Sequence, residues 1–213
     1  MGKITRFLNC RIDLTQKVFE PRIETEFWVG KAIREINQKI ESGKQKIKIL
    51  DIFSGSGCIG IAVLKNIKNA GVDFVDISNK AIKQIKVNLK LNKIPKNRYE
   101  IYKSNLFKSL KNKRYDIIFA NPPYVALNRI SEVQEEILQK EPATALFAGK
   151  DGIFWIKNFL EEAKKHLNKK GDVYMEFDPF QKEKMEQILE KEKFKFHFRK
   201  DQFKKYRWLK ASS

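Results

Sequence analysis

The sequence predicts an α/β fold: a seven-stranded, mostly parallel sheet with helices on both faces and an antiparallel hairpin at its C-terminal end. Three observations predict it. From Lys46 onward, short apolar runs alternate with amphipathic stretches of helical period. The runs in the middle of the chain are apolar on both sides of the pleat, as strands covered on two faces must be. The last two runs follow each other with no helical pattern between them, so they must pair antiparallel.

The elements follow in order. Ile4 to Pro21 reads as a β-hairpin, and Glu24 to Ile40 as a helix with Thr25 near its start. Ile47 to Ile52 is a buried strand, and Ile59 to Ile67 carries Ile, Ala, Val and Leu at helical spacing after a glycine-rich turn. Gly71 to Ile77 is a second strand, and Lys80 to Leu91 a helix with Ile82, Ile85 and Leu89 on one face. Tyr99 to Tyr102 and Tyr115 to Ala120 are the third and fourth strands. Phe154 to Leu167 reads as a helix, Asp172 to Phe177 as the fifth strand, and Gln181 to Lys191 as a further helix. Phe194 to Arg199 and Arg207 to Leu209 complete the sheet. Two parts result: residues 1–22, a hairpin and an opening segment, and residues 23–213, the α/β domain.

A chain of 213 residues buries a core without staples. No stretch is long or apolar enough to span a bilayer, and Met1 to Cys10 has no secretory pattern, so no membrane is expected. Cys10 and Cys58 are the only cysteines; two thiols in such a chain predict a reducing cytoplasm and no structural disulfide. The net charge of +18 admits an RNA, ribosome or DNA partner, although the lysines are scattered and outnumber the arginines, as compositional drift would also produce.

The loop Asp51-Ile52-Phe53-Ser54-Gly55-Ser56-Gly57 leaves the first buried strand and opens a helix, and its small residues let backbone approach a ligand closely. Asp76 ends the next strand about twenty residues on, where a carboxylate can take two ribose hydroxyls. Capping of the following helix is the structural alternative for Asp76, although Ser78 and Asn79 can do that. The loop lacks the lysine and the Ser/Thr of a phosphate-binding P-loop, and Asp51 and Asp76 repel phosphate. These residues therefore predict a nucleoside without a phosphate chain and with positive charge. S-adenosylmethionine meets both conditions, with Asp51 either facing its methionyl end or serving as a strand-end cap.

Asn121-Pro122-Pro123-Tyr124 follows the fourth strand directly. The prolines end the strand and fix the backbone. An amide or aromatic NH2 is a poor nucleophile because its lone pair is delocalised. The Asn121 side-chain oxygen and the Pro122 carbonyl can each accept one N–H of such a group, which leaves the lone pair turned to a methyl donor, and Tyr124 can stack on the flat group. Catalysis by positioning and placed dipoles needs little general-base strength. His166 and His197, the only histidines, stand late in a helix and in a late strand, which agrees with that chemistry. The motif restricts the target to a glutamine amide, adenine N6 or cytosine N4 and does not choose among them.

On these residues the chain resembles the catalytic domain of the HemK/PrmC family, protein-glutamine N5-methyltransferases. Pro21 to Glu26 is similar to the family's Pro-Arg-x-Glu-Thr-Glu, Leu50 to Gly57 to its glycine loop, and Val75 to Ser78 to its ribose-binding strand end. Ser104 to Phe107, Asn121 to Tyr124 and Glu141 to Gly152 resemble three further family segments. The resemblance implies a class I S-adenosylmethionine-dependent methyltransferase fold (Rossmann-like). It implies that Phe53 to Gly57 and Asp76 hold the cofactor, that Asn105 and Leu106 border its adenine, and that Asn121 touches both ligands. Asn121, Pro122 and Tyr124 would then act in catalysis, and Pro122, Pro123 and Tyr124 would hold a glutamine of a protein substrate. That substrate would be a translation protein: a release factor with a Gly-Gly-Gln motif, or a ribosomal protein. No metal is expected. Phe53 replaces a usual glycine, and so narrows the loop or packs under it. Asn105 replaces a usual aspartate. Met175 to Gln181 departs from the family's Glu-Ile-Gly, and the resemblance leads one to expect a catalytic domain without the family's N-terminal helical domain. Adenine-N6 methylation of RNA or DNA, and a binding module without catalysis, are the competing readings.

Overall fold

The computed structural model describes residues 3–40, 46–132, 148–149 and 151–213. Its first two strands, β1 (Ile4–Phe7) and β2 (Cys10–Asp13), form an antiparallel hairpin. Helix α1 follows over Ile23–Ile40, with Glu24 and Glu26 in its first turn and Lys39 in its last, each sign matched to the helix dipole. The main sheet has seven strands: β3 (Ile47–Ile52), β4 (Ala70–Asp76), β5 (Tyr99–Lys103), β6 (Tyr115–Ala120), β7 (Leu167–Glu176), β8 (Lys195–Lys200) and β9 (Tyr206–Ser212). Four helices are interleaved: α2 (Cys58–Asn66), α3 (Asn79–Leu91), α4 (Phe154–Ala163) and α5 (Lys182–Lys191).

Strand order is β5-β4-β3-β6-β7-β9-β8. Pairings from β5 through β7 are parallel, and β9 runs antiparallel to both of its neighbours. The order reverses between β3 and β6, which places a crevice at their C-terminal ends, the usual ligand site of an open α/β sheet. The predicted fold and its C-terminal hairpin are both present.

Two apolar clusters cover the two faces. One gathers the hairpin residues Phe7, Cys10 and Ile12 with Trp28, Ile36, Ile61, Phe74 and Ile85, so the hairpin shares its core with α1, α2 and α3. The other joins Leu50, Ile118 and Val173 to α4 and α5 through Phe159 and Leu189. Three buried amides, two in α3 and one at its C-cap, strap the hairpin and the turn after it: Asn92 and Asn88 accept from the Arg11 and Asp13 N–H groups at 3.1 and 2.8 Å, and Gln84 accepts from the Gln16 N–H at 2.8 Å. Cys10 and Cys58 are buried free thiols, and burial pushes the Cys10 thiol up to about 11.

Two expectations need correction. The helix expected to run to Leu167 ends at Ala163 and tightens into a 3-10 turn over Lys164–His166. Strand β7 begins at Leu167, five residues before the expected start, because Leu167 pairs with Tyr115 ahead of an irregularity between Tyr115 and Ile117. No helix among the described residues is long and apolar enough to cross a membrane.

Candidate active site

The glycine-rich loop leaves β3 in a chain of left-handed residues, with φ of 60° at Phe53, 54° at Gly55 and 78° at Gly57. Ser54, buried beneath the loop, fixes its shape: its hydroxyl donates to the Asp51 carbonyl at 2.6 Å and accepts from the Val75 N–H at 2.9 Å. The Gly57 N–H closes the turn on the Ser54 carbonyl at 2.7 Å. Ser56 is buried, and its carbonyl accepts from Asn88 at 2.9 Å.

Phe53 resolves its two expected behaviours in favour of packing. Its ring meets Trp155 and Phe159 edge-on at 6.4 and 6.1 Å, and so fastens the loop to α4. A non-glycine residue in this region costs roughly 1–2 kcal/mol, which the aromatic contacts of about 0.5–1.5 kcal/mol each offset.

Asp76 stands at the end of β4 and holds the loop from the other side. One carboxylate oxygen accepts from the Gly55 N–H at 2.8 Å and the other from the Ser78 N–H at 2.8 Å. The cap of α3 is Ser78, whose hydroxyl accepts from the Ala81 N–H, so Asp76 is released from that duty. Burial raises the Asp76 pKa against the pull of these donors. Asn105 and Leu106 follow β5 on the same edge of the sheet. The Ser104 N–H bonds the Asp76 carbonyl at 3.0 Å, and Leu106 is left-handed with φ of 49°.

Asp51 is 1% exposed, and its Oδ2 accepts from the Gly60 N–H at 2.9 Å. Gly60 has to be glycine, since a Cβ there would lie 2.3 Å from the Phe74 ring and 2.9 Å from Asp51 Oδ2. Oδ1 of Asp51 is buried with no hydrogen-bond partner among the described residues. Burial raises the pKa of this carboxyl far above the usual range, with nearby Asp76 adding to the effect. An orphaned, desolvated acid beside a glycine cradle fits a cationic ligand, as S-adenosylmethionine is.

The second half of the site starts where β6 ends at Ala120. Pro122 is buried, and Asn121, Pro123 and Tyr124 are partly exposed. Neither the Asn121 side chain nor the Pro122 carbonyl has a hydrogen bond with the described residues, so both acceptors remain available. Because β3 and β6 are parallel neighbours, with Ile52 opposite Ala120, the cofactor loop and the Asn-Pro-Pro-Tyr turn emerge side by side.

Two residues that brace the candidate site were missed by sequence reasoning. Glu176, at the end of β7 and 1% exposed, accepts from Thr25 Oγ1 at 2.6 Å and Trp28 Nε1 at 2.7 Å, and its other oxygen lies 3.4 Å from the Tyr124 hydroxyl. Burial raises its pKa, and the Thr25 and Trp28 donors oppose that. The Tyr124 hydroxyl is likewise pushed up, by burial and then by Glu176. Gln181 donates to the Tyr124 carbonyl at 2.9 Å and to the Gly152 carbonyl at 2.7 Å, while its oxygen accepts from Asp178 at 3.0 Å. The only signal for either residue lay in the segment Glu176 to Gln181, which stood out as a departure from the family pattern. Asp151 and Gly152 are described, and the preceding Glu141 to Phe147 lies outside the described residues.

The family profile of the methyltransferase small domain matches residues 33–156. The chain belongs to the methyltransferase small domain family. That match spans both the cofactor loop and the Asn-Pro-Pro-Tyr turn. Among sequence relatives, a release factor glutamine methyltransferase of Flavobacterium psychrophilum is 36% identical over 192 residues, 90% of this chain and 66% of the relative. One of Thermodesulfovibrio yellowstonii is 35% identical over 182 residues, 85% of this chain and 63% of the relative. The chain thus spans no more than about two thirds of these relatives. These names agree with the HemK/PrmC resemblance of the motifs. Among solved structures, a T. thermophilus 16S rRNA methyltransferase (RsmC) in complex with AdoMet and guanosine superposes with a TM-score of 0.68 at 17% identity, over 100% of this chain and 50% of that one. At that identity the likeness concerns the fold alone. This small-domain methyltransferase therefore has the class I fold, and the family's methyl donor, S-adenosylmethionine, is its cofactor.

Proposed function

We propose that this protein methylates the side-chain amide nitrogen of a glutamine in a protein substrate, most closely the Gly-Gly-Gln motif of a peptide-chain release factor. The observation that carries the reading is the pair of uncommitted acceptors, the Asn121 side-chain oxygen and the Pro122 carbonyl, on a turn that leaves the sheet beside the cofactor loop. The relatives of the preceding section add the substrate class. Asp51, Phe53 to Gly57, Asp76, Asn105 and Leu106 would hold S-adenosylmethionine, which supplies an electrophilic methyl group when bound. Asn121 and Pro122 would take the two amide N–H groups and fix the nitrogen, Pro123 would stiffen the turn, and Tyr124 would cover the flat face of the amide. The buried Glu176 carboxylate keeps Tyr124 in place. No histidine stands among these residues, and the proton leaves after attack. A translation-protein substrate would be met in the cytoplasm.

The test is transfer of labelled methyl from S-adenosylmethionine to a purified release factor and to its Gly-Gly-Ala variant. Label should enter the first only, and Asn121→Ala should lower the rate at least a hundredfold, about 2.7 kcal/mol of transition-state stabilisation. Label in nucleic acid and none in protein would overturn the reading in favour of a base NH2, with adenine N6 to be identified by nucleoside analysis.

A further inference from the structure

A second, strongly basic hollow of about 600 Å³ lies between the β5–β6 connection and the end of α4. Its lining includes Arg114 and His166, which immediately precede β6 and β7. Those two residues stand at the N-terminal ends of parallel strands, the ends opposite to the one from which the Asn-Pro-Pro-Tyr turn leaves β6. Nothing in the proposed methyl transfer uses it.

Its lining is unbalanced in charge. Lys108, Lys111, Lys113, Arg114 and Lys165 contribute five cations against the single carboxylate of Glu162. Lys113 is neutralised by Asp73 at 2.9 Å, and Arg114 donates to the Leu167 carbonyl at 2.9 Å. Lys108, Lys111 and Lys165 are exposed and form no ion pair among the described residues. Three uncompensated ammonium groups around one hollow favour an anion within it.

The wall is aromatic. His166 lies flat on Phe107, with ring centroids 4.4 Å apart and planes 10° from parallel, and Phe107 in turn stacks on Phe159 at 5.8 Å. The contact of His166 Nδ1 with the Lys113 carbonyl, at 2.9 Å, fixes the rotation of the imidazole. Phe107 is buried and takes one face of the ring, and His166 is partly exposed where it lines the hollow. A rigid flat ring beside three free cations is the pairing that binds a base and its flanking phosphates. An acidic polypeptide would use the cations and leave the ring idle.

We propose that this hollow is a docking site for single-stranded nucleic acid, with Lys108, Lys111 and Lys165 on its phosphates and His166 stacked on one base. It gives a definite address to part of the +18 charge. The experiment is fluorescence anisotropy of the intact protein with labelled 12-nucleotide oligouridine, run in parallel with oligothymidine to separate RNA from DNA. Wild type should bind one or both at low salt, with log K falling against log salt at a slope of about −2 for three phosphates. Lys108→Glu/Lys111→Glu/Lys165→Glu should lose at least tenfold in affinity. Lys83→Glu/Lys86→Glu/Lys90→Glu on α3, with the same change in charge, should lose less than threefold. His166→Ala should weaken binding and His166→Phe should preserve it. Calorimetric binding of S-adenosylmethionine checks that each variant is folded. Equal losses in the two triple variants, equal losses in the two His166 variants, or displacement of the oligonucleotide by polyglutamate as readily as by unlabelled oligonucleotide would each overturn the proposal.

Discussion

Asp51 shows how a single residue can be uncomfortable in one state and useful in another. Its carboxyl is desolvated, and one of its oxygens has no partner in the protein. Its raised pKa sets the sign of the pH effect. A carboxyl with a folded pKa above its unfolded value favours the fold fully below the unfolded value. That contribution is lost as pH rises toward the folded value. Asp51→Asn should therefore remove a loss of stability on going from about pH 4 upward, while weakening S-adenosylmethionine tenfold or more. Thermal unfolding across that range, with and without the cofactor, reads both; an Asn variant that binds the cofactor as tightly as wild type would remove Asp51 from the site. Glu176 is a second buried acid, and there the protein supplies the donors itself. Glu176→Gln retains an oxygen for Thr25 and Trp28 but turns an NH2 toward the Tyr124 hydroxyl. Methyl transfer should slow about tenfold with cofactor affinity unchanged, whereas Glu176→Ala, which strands both donors, should also cost about 1–3 kcal/mol of stability per buried group. Asp51 and Asp76 were readable from sequence because they end strands beside a glycine turn. Glu176 was not, because its partners lie about 150 residues away: the bond to Thr25 spans a separation of 151.

At the scale of elements, β3 and β6 were read with their true bounds, since each is a continuous apolar run with a sharp stop, at a glycine loop or a proline pair. The start of β7 escaped because Asn168-Lys169-Lys170-Gly171 looks like a loop, and only the pairing of Leu167 with Tyr115, ahead of the irregularity between Tyr115 and Ile117, extends the strand across it. The Asn-Pro-Pro-Tyr turn also depends on tertiary contacts that no local pattern displays. Gln181 bridges its Tyr124 carbonyl to Gly152, and a Cβ on Gly152 would stand 2.4 Å from that same carbonyl oxygen. Gly152 also has φ of 74°, so Gly152→Ala is strained twice. It should raise the KM for the protein substrate and lower kcat, with calorimetric cofactor binding unchanged, since the cofactor loop hangs on other strands. Helix α1 acts as a strut: Trp28, fully buried, stacks on Phe119 and Trp208 at 6.1 Å each while its indole N–H holds Glu176. Thr25 near its start announced the helix; the reach of Thr25 and Trp28 into the site required the folded chain.

Across the whole molecule, the hairpin and the sheet unfold together if the shared core governs stability. Phe7, Cys10 and Ile12 pack with α1 to α3, and three amides of α3 and its C-cap hold the hairpin and the turn after it. Phe7→Ala should therefore cost about 3–5 kcal/mol and shift one cooperative transition, seen at the same denaturant concentration by circular dichroism and by fluorescence. A separate early transition by one probe would show that the hairpin is an independent unit. The overall layer order was legible because the alternation of period-2 and period-3.6 segments admits few topologies. The placement of charge was not, because scattered lysines become a hollow only when the chain folds.

The contact between Phe53 and Trp155 has an optical consequence. The protein has three tryptophans, and Trp28 and Trp208 are buried in one stack. Trp155 alone is partly exposed and touches the loop that would cradle the methyl donor. Filling of that loop should change the emission of one indole out of three, so the unlabelled enzyme carries its own occupancy gauge. Trp155→Phe should silence the signal and leave the calorimetric affinity in place.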